Sequence, residues 1–431
     1  MSSNKVPKRR YSEQNTNLPK QLPLIGLGCS SFSSFFSSEE GNNELTIDTV
    51  SREHPAVKRW MKTIQHAVLH RGINLLDTAP WYGHGVSETV VGYALDTILA
   101  DDEGHDKVLS LDTILLDDES YNVQRRKRTG DLDRSDIIIN TKVGRYEANP
   151  LKQFDFSYET TIKSVQRSLE RLNCGYIDVL QLHDPEFAPS ISILLKETIP
   201  ALLECKRRGW AKALGLTGYP LEVQQEILVK AADEFRIGKV FDQSLVYCHN
   251  NLHDNSLFSE YCFPSRGSPT DTFAGFCQHS NIHLMAAAPL SMGLLTHSGP
   301  PPWHPAPVAL KEACAKASKI CQSDGVNLSS LSILYSLSHP SIGCTLLGMK
   351  DEKEVDVAAD LASRFSAVDF SNESQDSILD QVLTSKERQV LEKLLDKTDG
   401  PFSQLKEDYR WDGIEEARKF WALVDDMKRE S

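Results

Sequence analysis

The sequence predicts an α/β protein, a (β/α)8 TIM-type barrel with polar loop insertions and a C-terminal extension. Short runs rich in Val, Ile and Leu recur eight times, and amphipathic helical stretches lie between them. No G-x-G-x-x-G motif follows any run, which disfavours an open, doubly wound dinucleotide-binding sheet. The predicted strands are Leu22–Leu27, Ile73–Asp77, Ile137–Thr141, Tyr176–Leu182, Ala213–Leu216, Val240–Leu245, Ile282–Ala287 and Cys344–Leu347.

The helices between these strands are recognised by their period. Apolar residues three and four positions apart share one face of a helix, which faces the sheet, and polar residues take the solvent side. Two such faces are formed by Val57, Trp60, Met61, Ile64 and Val68, and by Ile162, Val165, Leu169 and Leu172.

The barrel prediction divides the chain into three parts. Residues 1–20 are a polar N-terminal tail, 21–366 form the barrel with insertions at about 30–53 and 100–133, and 367–431 are a polar insertion followed by an aromatic extension that packs on the barrel. The second insertion carries acidic blocks followed by a basic block, which suits either a mobile surface loop or a docking element.

Composition narrows the function to small-molecule chemistry. The 431 residues carry a net charge of −13, which disfavours nucleic acid and anionic membranes as partners. Nine cysteines without a C-x-x-C pair indicate no disulfide framework and no metal site. The N-terminus lacks the apolar core of a secretory signal, and Pro289 interrupts the longest apolar stretch, so we expect no membrane span and a cytoplasmic location. No protein partner is identified.

Four polar residues fall where a barrel places its active site, at the carboxyl ends of the strands. Asp77 ends the second strand, Tyr82 lies in the loop after it, Lys142 ends the third strand and His183 follows the fourth. Each alone has an ordinary explanation, such as a helix cap or a half-buried polar side chain. Together they form an acid/base device in which Lys142 lowers the phenol pKa, Asp77 holds the lysine and His183 orients a substrate oxygen.

The segment around Tyr82 carries a family resemblance. Asp77–Gly83 reads D-T-A-P-W-Y-G, which resembles the D-T-A-x-x-Y-G signature of the aldo-keto reductases. The similarity extends from about Pro23 to Ala359 and includes the segments Gly85–Glu88, Val91–Leu95, Thr141–Arg145 and Tyr176–His183. It implies a nicotinamide-dependent oxidoreductase in which Tyr82, Asp77, Lys142 and His183 are catalytic.

Within that family, the chain most resembles the L-galactose and D-arabinose 1-dehydrogenases. The similar segments are His183–Phe187, Glu197–Leu202, Tyr247–His249, Ala288–Leu295 and Gly299–Pro305. The resemblance implies oxidation of an aldose at C1 to its lactone, with Tyr82 as the general base. His183, Trp81 and Trp303 then become substrate-contacting residues, although plain packing also explains the two tryptophans.

The segment after the eighth strand bears on the cofactor. Related reductases hold the 2′-phosphate of NADPH there, and Gly348 and Glu354 stand where that family has its key lysine and arginine. A carboxylate repels a phosphate, so the sequence favours NAD, while Lys350 and Lys353 leave NADP open. Gly218 also replaces the asparagine that binds the carboxamide. The cofactor-binding residues implied by the resemblance are Thr217, Gln243, Pro289, Leu290, Gly293, Gly348 and Lys350.

Two other functions remain open from the sequence. The first is an NADPH-dependent aldehyde or ketone reductase, which shares the fold and the four catalytic residues. The second is a cofactor-binding regulatory subunit that docks a partner through the 100–133 insertion. The presence of both Tyr82 and Lys142 disfavours the second reading, because loss of either would mark a protein that no longer catalyses.

Overall fold

Eight parallel strands close into a barrel in the computed structural model, which describes residues 5–10, 17–19, 21–33, 45–99, 132–259, 272–405 and 409–430. Barrel strands that follow one another along the chain pair with one another, and the last barrel strand, Thr345–Gly348, pairs with the first, Ile25–Gly28. This confirms the predicted (β/α)8 barrel. The strands are β1 Lys8–Arg10, β2 Gln21–Pro23, β3 Ile25–Gly28, β4 Leu75–Asp77, β5 Ile138–Val143, β6 Ile177–His183, β7 Ala211–Gly218, β8 Gln243–Tyr247, β9 His283–Ala287 and β10 Thr345–Gly348.

Helices surround the barrel and extend beyond it at the C-terminus. The described α-helices are α1 Pro55–Gln65, α2 Val86–Ile98, α3 Pro150–Gln153, α4 Tyr158–Leu172, α5 Ile191–Ile193, α6 Ile199–Arg207, α7 Leu221–Glu234, α8 Phe273–His279, α9 Val308–Ser323, α10 Leu328–Leu337, α11 Glu352–Ser363, α12 Gln375–Val382, α13 Ser385–Leu395 and α14 Gly413–Glu430. Among the described residues, none of these helices is both long and apolar enough to cross a bilayer.

The first predicted strand belongs to two elements. Leu22 lies in β2, which pairs antiparallel with β1, whereas Leu27 lies in barrel strand β3. The hairpin changes the environment of the predicted polar tail, because Arg9 is only 7% exposed and donates to the main-chain carbonyls of His339 and Leu337. The predicted strand at Val240 also begins later than expected, at Gln243.

The two predicted insertions within the barrel are described only at their edges. Residues 34–44 and 100–131 lie outside the described part of the chain, and the charged blocks of the second insertion are among them. Its described end, Asp133–Asp136, forms a capping box at the entrance to β5.

The C-terminal extension packs on loops at the carboxyl end of the barrel. The Trp411 ring stacks on Tyr219, just after β7, with ring centroids 4.5 Å apart. Trp421 Nε1 donates to the carbonyl of Phe187, in the turn after β6, at 3.0 Å. Because barrel active sites are built from the loops after the strands, the extension lies beside the predicted site.

Candidate active site

A buried ion pair joins the ends of two neighbouring strands. Asp77 pairs in register with Asn140, so Lys142, two residues further along β5, points to the same interior face. Its Nζ lies 2.5 Å from Asp77 Oδ1, 2.8 Å from the carbonyl of Thr78 and 3.2 Å from the Tyr82 hydroxyl. Both charged side chains are nearly inaccessible to solvent, at 2% and 4%. The structure therefore brings three of the four predicted residues into direct contact.

The turn between β4 and α2 sets the position of Tyr82. Gly83, His84 and Gly85 all have left-handed backbones, with φ of 65°, 53° and 100°. A Cβ at Gly83 would come within 2.8 Å of the Ser33 side chain, so the turn needs a glycine there for space as well as for conformation. The tight turn returns the Tyr82 hydroxyl over the end of β5, beside Lys142.

The interior polar contacts continue below the ion pair. Gln181 Nε2 donates to Asp77 Oδ2 at 2.9 Å, and Gln243 Nε2 lies 3.3 Å from Gln181 Oε1. Both amides are buried. Both carboxylate oxygens of Asp77 are therefore hydrogen-bonded, which fixes the carboxylate that holds Lys142. Gln243, predicted from the resemblance to bind cofactor, begins β8 and makes this interior contact.

The pKa of Tyr82 is higher than the sequence led us to expect. Burial raises the pKa of the phenol, the nearby Lys142 charge lowers it and Asp77 raises it again, and the net direction is upward. The predicted influence of Lys142 is present, but it does not outweigh desolvation. In this state the phenol is neutral at pH 7 and is a hydrogen-bond donor.

Lys142 remains charged despite its burial. Desolvation lowers the pKa of the ammonium, but Asp77 and Tyr82 together raise it more, so the net shift is upward. An ammonium that stays protonated is a permanent positive charge beside the phenol. It stabilises any phenolate that forms at Tyr82.

His183 is the last residue of β6 and stands perpendicular to Tyr82, with ring centroids 6.2 Å apart. Burial lowers the pKa of the imidazole to about 3; Asp184 opposes this shift, and Lys142 and Arg145 add to it. The ring is therefore neutral at physiological pH. Its Nδ1 is buried and has no hydrogen-bond partner among the described residues. Buried polar atoms without a partner are rare in folded proteins, so this one needs an explanation.

Arg145 links two parts of the site and was not predicted from the sequence. Its guanidinium lies 4.0 Å from the Trp81 ring centroid and 2.7 Å from Asp184 Oδ2. Asp184 Oδ1 in turn lies 3.7 Å from His183 Nε2. Trp81 is thus held beside Arg145 by a cation–π contact, and its contact with a substrate stays a prediction. Trp303 is 57% exposed and stacks beside His304 on a different loop.

The loop after β9 contains three non-glycine residues with left-handed backbones. Ala288, Ser291 and Met292 adopt left-handed conformations with φ of 54°, 47° and 49°. Each such residue costs about 1–3 kcal/mol and persists only where the surroundings enforce it, commonly at ligand sites. Pro289, Leu290 and Gly293, predicted to bind cofactor, belong to this loop. Thr217, also predicted, pairs in register with His183 at the end of β7.

In the segment after β10, the lysine closest to the strand lies near a carboxylate. Gly348 ends the strand next to Gly28, and Lys350 Nζ lies 3.8 Å from Glu354 Oε1. Glu354 Oε2 also accepts the Lys350 amide at 2.9 Å. The Glu354 carboxylate therefore lies within reach of both the ammonium and the main-chain amide of Lys350.

The fold and the buried phenol, ammonium, carboxylate and imidazole define a barrel oxidoreductase. Residues 51–373 match the model of the aldo/keto reductase family. The chain belongs to that family, as its resemblance predicted.

Relatives in this family include two aldose dehydrogenases. The chain is 34% identical to an L-galactose dehydrogenase from Arabidopsis thaliana over 285 residues, covering 66% of this chain and 72% of that protein. It is 30% identical to a D-arabinose 1-dehydrogenase from Saccharomyces cerevisiae over 300 residues, covering 69% and 74%. An aldo-keto reductase from Bacillus halodurans, in its holo form, superposes with a TM-score of 0.53 at 20% identity, covering 90% of this chain and 96% of that one. That structure supports the fold alone.

Proposed function

We propose that this enzyme oxidises an aldose such as L-galactose or D-arabinose at C1 to the lactone, with NAD preferred over NADP. One observation carries the proposal. The Tyr82 hydroxyl lies 3.2 Å from a buried ammonium and faces the His183 ring, in a chain similar to an L-galactose dehydrogenase and a D-arabinose 1-dehydrogenase. The polar groups needed to hold a C1 hydroxyl and remove its proton lie together at the mouth.

The residues divide the proton chemistry between them. As the C1 carbon–oxygen bond becomes double, the hydroxyl proton passes to Tyr82, whose anionic form Lys142 stabilises. A nicotinamide cofactor bound at the mouth would supply the acceptor for the hydride that leaves C1. Asp77 keeps Lys142 charged and in place, and the neutral His183 hydrogen-bonds the same oxygen through a ring nitrogen. The proton and the hydride together account for the two electrons and two hydrogens removed.

The preference for NAD rests on the segment after β10. Lys350 is the cation closest in sequence to the end of the strand, and Glu354 pairs with it. A 2′-phosphate brought there would meet the Glu354 carboxylate and would compete with it for the ammonium. The 2′-hydroxyl of NAD meets no such repulsion and suits a carboxylate acceptor.

A second candidate is the reverse reaction, reduction of an aldehyde or ketone. The raised pKa of Tyr82 favours it, because a neutral phenol is ready to donate a proton to a carbonyl oxygen. Oxidation instead needs Tyr82 to lose its proton, so it should accelerate as the pH rises. The two directions therefore differ in their pH dependence.

The experiment is a substrate panel with purified full-length protein, followed at the absorbance band of reduced nicotinamide. L-galactose, D-arabinose, L-fucose and D-glucose are each paired with NAD and with NADP, and small aldehydes are paired with NADH and NADPH. We expect NAD-dependent oxidation of one of the first three sugars. Turnover of aldehydes with NADPH and of no sugar would favour the reductase. No turnover in either direction would favour a regulatory subunit.

A further inference from the structure

Two buried amides form a line of hydrogen bonds that leads through the barrel interior to the Asp77–Lys142 ion pair. Gln181 Nε2 donates to Asp77 Oδ2 at 2.9 Å, and Gln243 Nε2 donates to Gln181 Oε1 at 3.3 Å. A carboxylate only accepts hydrogen bonds, so the Gln181 amide must turn its nitrogen towards Asp77 and its oxygen towards Gln243. The line therefore has one direction, and it ends on the Asp77 oxygen that does not accept from Lys142.

A glycine on the strand between the two glutamines lets their amides meet. Gln181 lies on β6 and Gln243 on β8, and Gly215 on the intervening strand β7 pairs in register with both. A Cβ built at Gly215 would lie 2.8 Å from Gln181 Cγ, closer than Cβ atoms approach their neighbours in proteins. Gly215 has no left-handed backbone. We attribute this glycine to space, because a side chain there would push Gln181 out of line with Asp77.

The hydrogen bond from Gln181 fixes the orientation of a charged group that is removed from solvent. Gln181 and Asp77 are both buried. Hydrogen bonds to a charged acceptor are stronger than those between neutral groups, and a buried acceptor that loses its donor is costly. Without the amide, the carboxylate of Asp77 is held only on the side of Lys142, and it is free to turn about its bond to Cβ.

The orientation of Asp77 bears on Tyr82 through Lys142. Burial raises the pKa of Tyr82, the Lys142 charge lowers it and the Asp77 charge raises it. The Gln181 amide draws negative charge of Asp77 towards Oδ2 and keeps Oδ1 aimed at the ammonium, which donates to the Tyr82 hydroxyl at 3.2 Å. Loss of the amide leaves more of the carboxylate charge uncompensated, so the pKa of the phenol rises further.

We propose that Gln181 is a positioning residue for proton transfer at Tyr82, because its amide holds the carboxylate that in turn holds Lys142. The inference rests on the proposed function, in which Tyr82 exchanges a proton with the substrate oxygen, and it adds the side chain that acts on Tyr82 through the ion pair. It applies to oxidation and to reduction alike, since the same phenol proton moves in both directions.

The test measures kcat and KM against pH for purified full-length wild type and Gln181→Met, with the substrate that wild type turns over. Methionine keeps the approximate length of the side chain but donates no hydrogen bond. We expect kcat to fall about tenfold, less than the roughly 10²–10⁴-fold that an acid–base group itself contributes, while KM changes less than about threefold. The pH profile should move upward by about half a pH unit or more, because the pKa of Tyr82 rises.

Gln181→Glu gives a second readout with a side chain of the same shape. Two carboxyls in contact share one proton, because like charges so close disfavour the ionisation of both. At lower pH the introduced carboxyl is protonated and donates to Asp77, so the profile should follow that of wild type. At higher pH it loses this proton and adds a negative charge beside Asp77. We expect the profile to separate from that of wild type only there.

Gly215→Ala tests the same hydrogen bond without changing either partner. Its methyl group crowds Gln181 Cγ, so the profile should move in the same direction as in Gln181→Met. The matched control is Gly238→Ala, because a Cβ at Gly238 meets nothing within 4 Å. For Gln181→Met the control is Gln224→Met, which removes a buried glutamine whose two described hydrogen bonds do not involve the ion pair. Both controls should keep the wild-type pH profile, even where the thermal unfolding midpoint falls.

The outcomes separate the inference from the function on which it rests. A wild type that turns over no sugar, aldehyde or ketone with either cofactor overturns the proposed function, and the inference with it. An active wild type whose pH profile is shared by Gln181→Met and Gln181→Glu overturns the inference alone. An equal shift in Gln224→Met also overturns it, because loss of any buried amide would then have the same effect. If Gln181→Met does not fold, Gln181→Glu and Gly215→Ala decide between these outcomes.

Discussion

Replacing Lys142 with methionine separates the structural and catalytic roles of the buried ion pair. The change keeps the approximate length of the side chain but removes the ammonium, so Asp77 becomes an uncompensated buried carboxylate. The variant also lacks the hydrogen bonds that Lys142 donates to the carbonyl of Thr78 and to the Tyr82 hydroxyl. Breaking a buried ion pair by removing one partner costs about 3–5 kcal/mol, and we expect a loss of unfolding free energy in that range.

The matched control is Lys142→Met combined with Asp77→Asn. Asparagine keeps a hydrogen bond with Gln181 but carries no charge, so the double variant has no unpaired ion. We expect it to recover most of the lost stability and none of the lost activity. Urea denaturation of wild type, Asp77→Asn, Lys142→Met and the double variant closes a thermodynamic cycle.

The pH profile of sugar oxidation tests the catalytic role of Lys142. The Lys142 charge opposes the upward shift that burial gives the Tyr82 pKa. Without it the pKa rises further, so sugar oxidation by Lys142→Met should begin at a higher pH than in wild type. The structural role would be refuted if Lys142→Met lost less than about 1 kcal/mol of unfolding free energy, or if the double variant were no more stable than Lys142→Met. The catalytic role would be refuted if the pH profile of Lys142→Met matched that of wild type.

Three further predictions concern other parts of the molecule. Glu354→Gln should raise the ratio of kcat/KM for NADP over NAD, because Lys350 is freed to bind a phosphate; an unchanged ratio would place the adenosine end elsewhere. Burial lowers the His253 pKa to about 4, below the ordinary 6.5, so the unfolded chain binds more protons between those values and stability should fall as the pH drops through that window. His253→Gln should remove up to about 1.4 kcal/mol per pH unit from the slope of unfolding free energy against pH, measured by chemical denaturation. A slope identical to that of wild type would show that His253 does not cause it. Trp411→Ala removes the stack on Tyr219, so trypsin should cleave after Arg418 faster than in wild type; an equal rate would show that the stack does not hold the extension.

The barrel was predictable because its strands are buried on both faces and read as continuous apolar runs. The run from Leu22 to Leu27 shows the limit of that signal, since an N-terminal hairpin strand and a barrel strand follow one another almost without a break in hydrophobicity. Pairing of β2 with Lys8–Arg10 depends on a contact between segments, and no local pattern reports it.

The candidate catalytic residues were predictable because each stands at a strand end, or in the loop after one, within a recognisable motif. Strand register then brings the two charges together, because the pairing of Asp77 with Asn140 puts Lys142 within reach of the carboxylate. The net direction of the Tyr82 pKa was not predictable, because it depends on how far burial outweighs one neighbouring charge. The sequence shows which charges are present, but it does not show how far each group is removed from solvent.

Glu186 and Arg145 were present in the quoted motifs without a role. Glu186 lies in a segment similar to the aldose dehydrogenases, whereas Gly218 departs from the family pattern. Only the structure shows that these two residues are close in space. Arg145 gains its role from contacts with Trp81 and Asp184, which come from two other loops.

The most direct test of the account is turnover by Tyr82→Phe, measured beside wild type with the sugar that wild type oxidises. The ring still packs against His183, but it carries no proton. We expect kcat to fall about 10²–10⁴-fold, with the Kd of NAD unchanged within about threefold. A variant that keeps more than about a tenth of the wild-type rate would show that Tyr82 is not the proton-transfer group, and would contradict the central claim.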